Sequence, residues 1–479
     1  MSDRPSNDGP ALVWFRDDLR LSDNPALDAA ARSGRAVIAL YVLDQTSCGF
    51  RPLGGAARWW LHHSLRSLAA DLDGIGIPLV LRQGSALDEM LDVADRSGAA
   101  AVFWNRRYRP AEIAVDKAVM AALRKAGCDV SSFQANLLFE PWTVLTGAGQ
   151  PFRVFTPFWK AARARGIART PLPAPRPVSR RTCAPRSDGL ADWALLPTRP
   201  DWAKEIASVW TPGETAAQAR LAAFVDECLA TYARDRDRPA RAATSRLSPH
   251  LRFGEISPLQ IWHAAGLRHD SAGLEKFLSE LGWREFSWHL LFHFGDLEKR
   301  SFNPKFDRFP WRTDDAAFRL WARGQTGYPI VDAGMRQLWR TGWMHNRVRM
   351  IAASFLCKDL LIDWRRGEDW FWDTLVDADP ANNPAGWQWV AGSGADAAPY
   401  FRVFNPVLQG EKFDPDGHYV REWVPELADL SPRWIHRPWE APQPELARAG
   451  VRLGETYPVP IVDHNAARRR ALGAFEALG

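Results

Sequence analysis

The 479-residue chain has no run of about 18 apolar side chains, the length needed to cross a hydrocarbon core. Its opening, MSDRPSNDGP, lacks the apolar centre of a secretory signal. Cysteine is scarce: Cys48, Cys128, Cys183, Cys228 and Cys357 are odd in number, scattered and never spaced as CxxC. That argues against a disulfide framework and a zinc or iron–sulfur site, and for a reducing cytoplasm. The glycine-rich GxGxxG turn is also missing, because the first β-rich run leads into RDDLRLSDNP. Without glycines there is no close backbone approach for a phosphate, so the usual dinucleotide site is excluded. Neither sign of charge dominates. The net charge is +5 with a pI of about 9.0, which is compatible with nucleic-acid binding without establishing it. Tryptophan, by contrast, is abundant at 24 residues, most of which belong in cores and helix contacts.

The length favours two domains, and the two halves read differently. Within 1–135, short β-rich runs at 11–15, 36–44, 78–82, 100–104 and 129–133 alternate with helical stretches such as 56–72 and 111–127. This alternation predicts a parallel sheet with helices on its faces, a Rossmann-like α/β domain. Residues 136–205 lose periodicity and include PLPAPRPVSRRTCAPR, which reads as an interdomain connector. From 206 to 479 the apolar period becomes 3.6 residues, and the expectation is an all-α domain.

Four stretches of the helical half carry chemistry. ATSRLSPHLRFGEIS offers Thr244, Ser245 and Ser248 ahead of a helix that begins with Pro, a place for a pyrophosphate or for an ordinary N-cap. Phe277, Glu280, Trp283 and Arg284 share one helix face, which suits either a pocket for flat rings or an amphipathic surface with a Glu280–Arg284 ion pair. Asn346, Arg349, Met350 and Ala353 form a second stripe beside His345, itself readable as acid, base or structural residue. DADPANNPAGWQW (377–389) then gathers carboxylates, amides and indoles. A redox-active flavin needs an amide near its N5 and a charge to tune its reduced states. Asn383 and the Asp377–Arg349 combination can supply these, and Asp379 can take a ribose or ring N–H. Trp387, with Trp364 and Trp311 as further steps, can relay electrons.

In order along the chain, ALVWFRDDLRLSDNPAL, TSRLSPHL, ELGWREF, TGYPIVDAGMRQLWRTGWMHNRVRM, DADPANNPAGWQW and APYFRVFNP resemble the photolyase/cryptochrome family, nearest to its bacterial cyclobutane-dimer repair enzymes. The resemblance implies an α/β antenna domain joined to a helical domain holding FAD, which in its reduced form, FADH⁻, repairs UV-damaged DNA under blue light. Carried over by position, Tyr232 and Thr244, Ser245, Arg246, Leu247 and Ser248 hold the FAD phosphates, with Phe277 near the adenine. Arg284, Asn346, Arg349, Asp377, Ala378, Asp379 and Asn383 surround its rings and ribose. Trp387, Trp364 and Trp311 form the photoreduction chain. Glu280, Trp283, Met350 and Trp389 face the lesion; Arg236, Arg347, Arg402 and Gln409 contact the strand.

The implied reaction is splitting of a cyclobutane pyrimidine dimer flipped into the pocket, with Glu280, held protonated by burial, bonding a pyrimidine carbonyl. A (6-4) photolyase resembles this family but carries a His pair where this chain has His345 and Met350. A cryptochrome photoreceptor often alters the lesion pocket or adds a C-terminal tail, and this chain keeps the pocket residues and lacks the tail. Phe277 replaces a Trp of many relatives, and Pro380, Pro384 and Ala385 change the flavin loop. Glu112 fits an antenna site for methenyltetrahydrofolate, favoured over a deazaflavin, although Ala111 stands where some relatives have Asn. The expected protein is a monomer with no metal and no membrane.

Overall fold

The structure is a computed structural model that describes residues 8–167, 169–178, 182–267, 272–397 and 401–478. The first three residues of APYFRVFNP and 179–181 of the Pro/Arg-rich stretch lie outside the described residues. The β-rich runs form β1 (Ala11–Phe15), β2 (Val37–Leu43), β3 (Leu79–Gln83), β4 (Ala101–Asn105) and β5 (Asp129–Phe133). All pair in parallel in the order β3-β2-β1-β4-β5, with Ala11 opposite both Val37 and Ala101.

A parallel sheet must be covered on both faces, and the period-2 alternation of β1 meets that need. Val13 and Phe15 join a core with Leu27 of α1 (Pro25–Arg32) and Trp60 and Leu65 of α2 (Gly55–Gly74). Leu12 and Trp14 face the other way, toward Met90 of α3 (Ala86–Ser97) and Val119 of α4 (Pro110–Lys125).

Residues 136–205 are folded at both ends. Helix α5 (Phe155–Arg165) places Phe155, Phe158, Trp159 and Ala162 in one core with Leu278 and Phe286 of the helical half. Their i, i+3, i+4, i+7 spacing is a helix signal, hidden by the Pro and Arg around it. Trp193, Leu195 and Ala203 pack instead on the α2 side of the sheet.

The loop after β1 explains the absent glycines. Instead of cradling a ligand, it joins the two halves: the Leu19 amide donates to the Phe253 carbonyl (3.1 Å) and Arg20 Nη1 to the Gly254 carbonyl (2.9 Å). Gly254 sits at φ +66°, and a Cβ there would overlap the Asp17 main chain. Among the described residues no helix is long and apolar enough to cross a membrane.

Candidate active site

The helical half surrounds a cavity of about 630 Å³, within the size range of cofactor sites. One wall is α7 (Ala272–Phe294), which turns Phe277, Glu280, Trp283 and Arg284 into the cavity as their shared face requires. Trp283 stacks on Phe155 of α5 at 3.9 Å between centroids, and Phe277 packs on Phe224 and Tyr232. The Glu280–Arg284 pair is replaced by others. Arg284 donates to Glu285 Oε1 and to the Asn136 carbonyl, each at 3.1 Å. Glu280 bonds Arg236 and lies 3.2 Å from Lys276 Nζ. Its side chain is 28% exposed, so the expectation that burial isolates this carboxyl is corrected: two cations hold it.

The second wall is α8 (Asn346–Ser354), where Asn346, Arg349, Met350 and Ala353 all line the cavity, as does Arg347. His345 caps this helix, its Nδ1 accepting from the Arg347 amide at 3.2 Å. Burial pushes its pKa down to about 4, so it stands as a neutral structural residue behind the wall. Arg349 grips Asp377 with both guanidinium nitrogens (3.1 and 2.8 Å), while the Ser248 hydroxyl donates to Asp377 Oδ2 (2.6 Å).

Opposite, Ala378, Asp379, Asn383, Trp387 and Trp389 line the third wall with α10 (Asn382–Ala391). The Asp379 carboxylate ties down its own loop, accepting from the Ala381 and Asn382 amides at 2.8 and 2.5 Å. Asn383 spends Nδ2 on Glu368, at 3.1 Å to its carbonyl and 2.7 Å to its carboxylate. Arg51 of the α/β half holds that carboxylate at 2.8 Å. This orientation leaves Asn383 Oδ1 as an acceptor, the group a flavin N5–H requires.

Residues Thr244 to Ser248 line the cavity through a turn in which Arg246 adopts φ +51° and Leu247 is helical. Successive left- and right-handed residues form an anion nest. The helix that follows, α6 (Ser248–Arg252), is a single turn, so the nest and hydroxyls outweigh its dipole. Cavity size, nest and acceptor amide together fit FAD.

Trp387 forms the cavity floor and packs on α9 (Trp364–Thr374), where a Cβ on Gly367 would overlap its ring. Trp364 lies one turn earlier on α9, and the Arg312 amide bonds the Leu361 carbonyl (2.7 Å), drawing Trp311 to the same core. All three indole N–H groups are buried without a partner. Trp321 meets Trp387 edge-on at 6.1 Å, a contact that spacing did not reveal.

Three predicted residues lie elsewhere. Arg402 is exposed, Gln409 is half-buried, and neither lines the cavity. Glu112 lines a separate cleft between the halves of only about 20 Å³, room for a single water. Arg252, Arg284 and Trp288 close around it, so a folate would require the cleft to open. Burial raises the Glu112 pKa, and its Oε2 has no partner. Sequence reasoning missed Lys276, Asp237, Glu368 and Trp321, all of which depend on contacts between distant segments.

Comparison with known proteins places the chain in a family. Residues 11–177 match the family model described as DNA photolyase, and 277–477 match that of the FAD binding domain of DNA photolyase. The chain is 55% identical over 472 residues to a deoxyribodipyrimidine photo-lyase of Agrobacterium fabrum, covering 98% of each. It is 38% identical to cryptochrome-1 of Arabidopsis thaliana, covering 96% of this chain and 69% of that one. The crystal structure of a bacterial class III photolyase from Agrobacterium tumefaciens superposes with a TM-score of 0.95 at 54% identity, over 98% of both chains.

Proposed function

The chain belongs to the photolyase/cryptochrome family, and from that premise we propose that it is a deoxyribodipyrimidine photolyase whose substrate is the cyclobutane pyrimidine dimer. Light-dependent DNA repair with FAD is the activity its relatives support. The choice of dimer rests on one observation: Glu280, Trp283, Met350 and Trp389 converge on the same cavity. Met350 occupies the place where a (6-4) enzyme needs a second proton-transferring His, and a thioether transfers none.

When bound, reduced FAD supplies the light-driven electron for opening the cyclobutane ring. The chain's own residues do the rest. Tyr232 and the 244–248 nest receive the phosphates, with Phe277 at the adenine. Arg284, Asn346, Ala378 and Asp379 enclose the rings and ribose; Arg349 clamped by Asp377 sets the charge beside them, and Asn383 offers Oδ1. Photolyases as a class act on an extruded base. Trp283, stacked rigidly on Phe155, and Trp389 give that base apolar faces that exclude water. Glu280 turns its carboxyl to a pyrimidine carbonyl. Arg236 and Arg347 at the rim, with Arg402 and Gln409 beyond it, hold the strand through phosphates, so binding is salt-dependent and largely sequence-independent. Trp387, Trp364 and Trp311 carry the electron that reduces an oxidised cofactor. Glu112 marks the antenna position, with methenyltetrahydrofolate favoured once the cleft opens.

The test is a repair assay on two oligonucleotides, one with a cyclobutane thymine dimer and one with a (6-4) photoproduct. Chemically reduced protein should restore the first alone, and only in near-UV or blue light. FAD binding with repair of neither would move the chain to the photoreceptor class that the plant relative represents.

A further inference from the structure

Two carboxylates stand where strand phosphates are expected. Glu280 holds Arg236, and Asp237 sits 3.0 Å from Arg347 and 3.7 Å from Arg236. Residues 236–237, α7 and the start of α8 contribute separately, so the cluster is assembled by the fold and not by helix spacing. Lys276 adds a third cation, one turn before Glu280. Each guanidinium lies over an aromatic face, Arg236 over Tyr232 and Arg347 over Phe413, which fixes its plane. Each keeps a buried Nε that makes no hydrogen bond, that of Arg236 lying 3.7 Å from Asp237, so neither is saturated by its carboxylate. The carboxylates themselves are 28% and 35% exposed. The guanidiniums are only 11% and 19% exposed, so each pair is closed on its arginine side and open on its acid side, where an entering phosphate can take the carboxylate's place.

We propose that Glu280 and Asp237 are displaceable counter-ions, and that exchange couples strand binding to dimer recognition. A phosphate takes each guanidinium as its carboxylate leaves. The released Glu280, having lost Arg236, takes a proton from solvent and donates it in a hydrogen bond to a carbonyl of the dimer. On undamaged DNA no dimer enters, and Glu280 stays on Arg236. Asp237 is thus a positioning residue that restrains Arg347 until a strand arrives. The proposal rests on the reading of Glu280 as a lesion contact.

The experiment is fluorescence-anisotropy titration of FAD-loaded protein with undamaged and dimer-containing duplexes across a range of salt, with repair measured alongside. Each guanidinium passed to a phosphate steepens log K against log salt by about 0.9. The unsubstituted protein should therefore show a slope steeper by about one on dimer DNA than on undamaged DNA. Glu280→Gln should steepen the undamaged slope to match, and reduce the preference for damaged DNA by roughly tenfold. Asp237→Asn should leave both slopes unaltered, because Arg347 reaches a phosphate in either protein, and tighten binding to both duplexes equally by about fivefold, the pair no longer having to be broken. An unaltered undamaged-DNA slope in Glu280→Gln together with unaltered affinity in Asp237→Asn, with FAD retained and Glu280→Gln repair impaired, overturns the exchange alone. If Glu280→Gln repairs and discriminates normally, the lesion reading falls and the exchange falls with it.

Discussion

Two regions of the molecule concentrate the same residue types, arginine, aspartate and asparagine, to opposite ends. At the C-terminal edge of the sheet the polar groups close on one another. Arg20 donates to the Asp23 and Gly254 carbonyls (2.8 and 2.9 Å), and Asn105 Nδ2 to Asp18 and Asn24 (2.6 and 2.8 Å). Arg16, Asp18, Arg20 and Asn24 are all buried there, only Arg16 Nε among their side-chain atoms lacks a hydrogen bond, and none of the four lines either cavity described above. Around the large cavity the same types form pairs that face open space: Arg236, Arg347 and Trp387 line it, and the Nε of each arginine and the Trp387 indole make no hydrogen bond. A closed polar network is glue, and an open one is a site. Chemistry belongs where donors are positioned but not consumed.

The widest separation between the two regions should come from their tryptophans. Trp60 donates its indole N–H to Glu255 (2.9 Å), whereas Trp387 donates to nothing. Trp387→Phe should therefore fold and bind FAD yet lose light-driven reduction of the oxidised cofactor, read as absent bleaching of flavin absorbance, while chemically reduced protein still repairs. Loss of both activities together would return Trp387 to the structural class. Next in size, Arg20→Ala strands the buried Asp23 and Gly254 carbonyls and removes a cation from beside Asp23, and should cost about 3–5 kcal/mol in chemical denaturation. A loss below about 1 kcal/mol, typical of an exposed pair, would deny that the sheet edge is closed.

Much of this contrast is legible in sequence, for a physical reason. The strands of the sheet are local apolar runs, and the cavity walls are local stripes: Phe277 to Arg284, and Asn346 to Ala353, follow from helix geometry alone. What spacing cannot carry is pairing between segments. Glu280 has Arg284 one turn away, yet its carboxylate meets Arg236, 44 positions earlier. Asn383 takes its orientation from Glu368, and Trp283 its backing from Phe155, in a stretch whose Pro and Arg disguised a helix. The deviation of Glu112 has the same origin: a residue can follow the expected strand and still be shut in by Arg252 and Trp288 from the other half.

Within the cavity, Glu280→Ala should leave FAD bound and slow repair by roughly 10²-fold, the loss typical of one donor at a developing oxyanion. A comparable loss of FAD would place Glu280 with the cofactor and not with the dimer.

The smallest expected effect tests the boundary between the regions. His345 lies directly behind the open wall and is shut off from solvent, being 2% exposed, with Nδ1 spent on the Arg347 amide and Nε2 making no hydrogen bond. Burial lowers its pKa from the ordinary 6.5 to about 4. Above pH 6.5 it is neutral whether folded or unfolded, and stability does not depend on it. Below that, the unfolded chain takes the proton first, so stability falls with pH until the folded-state value near 4 is reached. At pH 5 the loss from this one group is about 2 kcal/mol. His289 is depressed to about 4 by burial as well, so acid sensitivity of the whole protein does not isolate either residue. His345→Asn does, because it keeps an acceptor for the Arg347 amide and removes the titration. Denaturation at pH 7 and pH 5 should show the variant losing about 2 kcal/mol less than the parent across that interval. An equal loss in both would mean that His345 is solvated in the working protein, and that the open network extends one shell deeper than its contacts indicate.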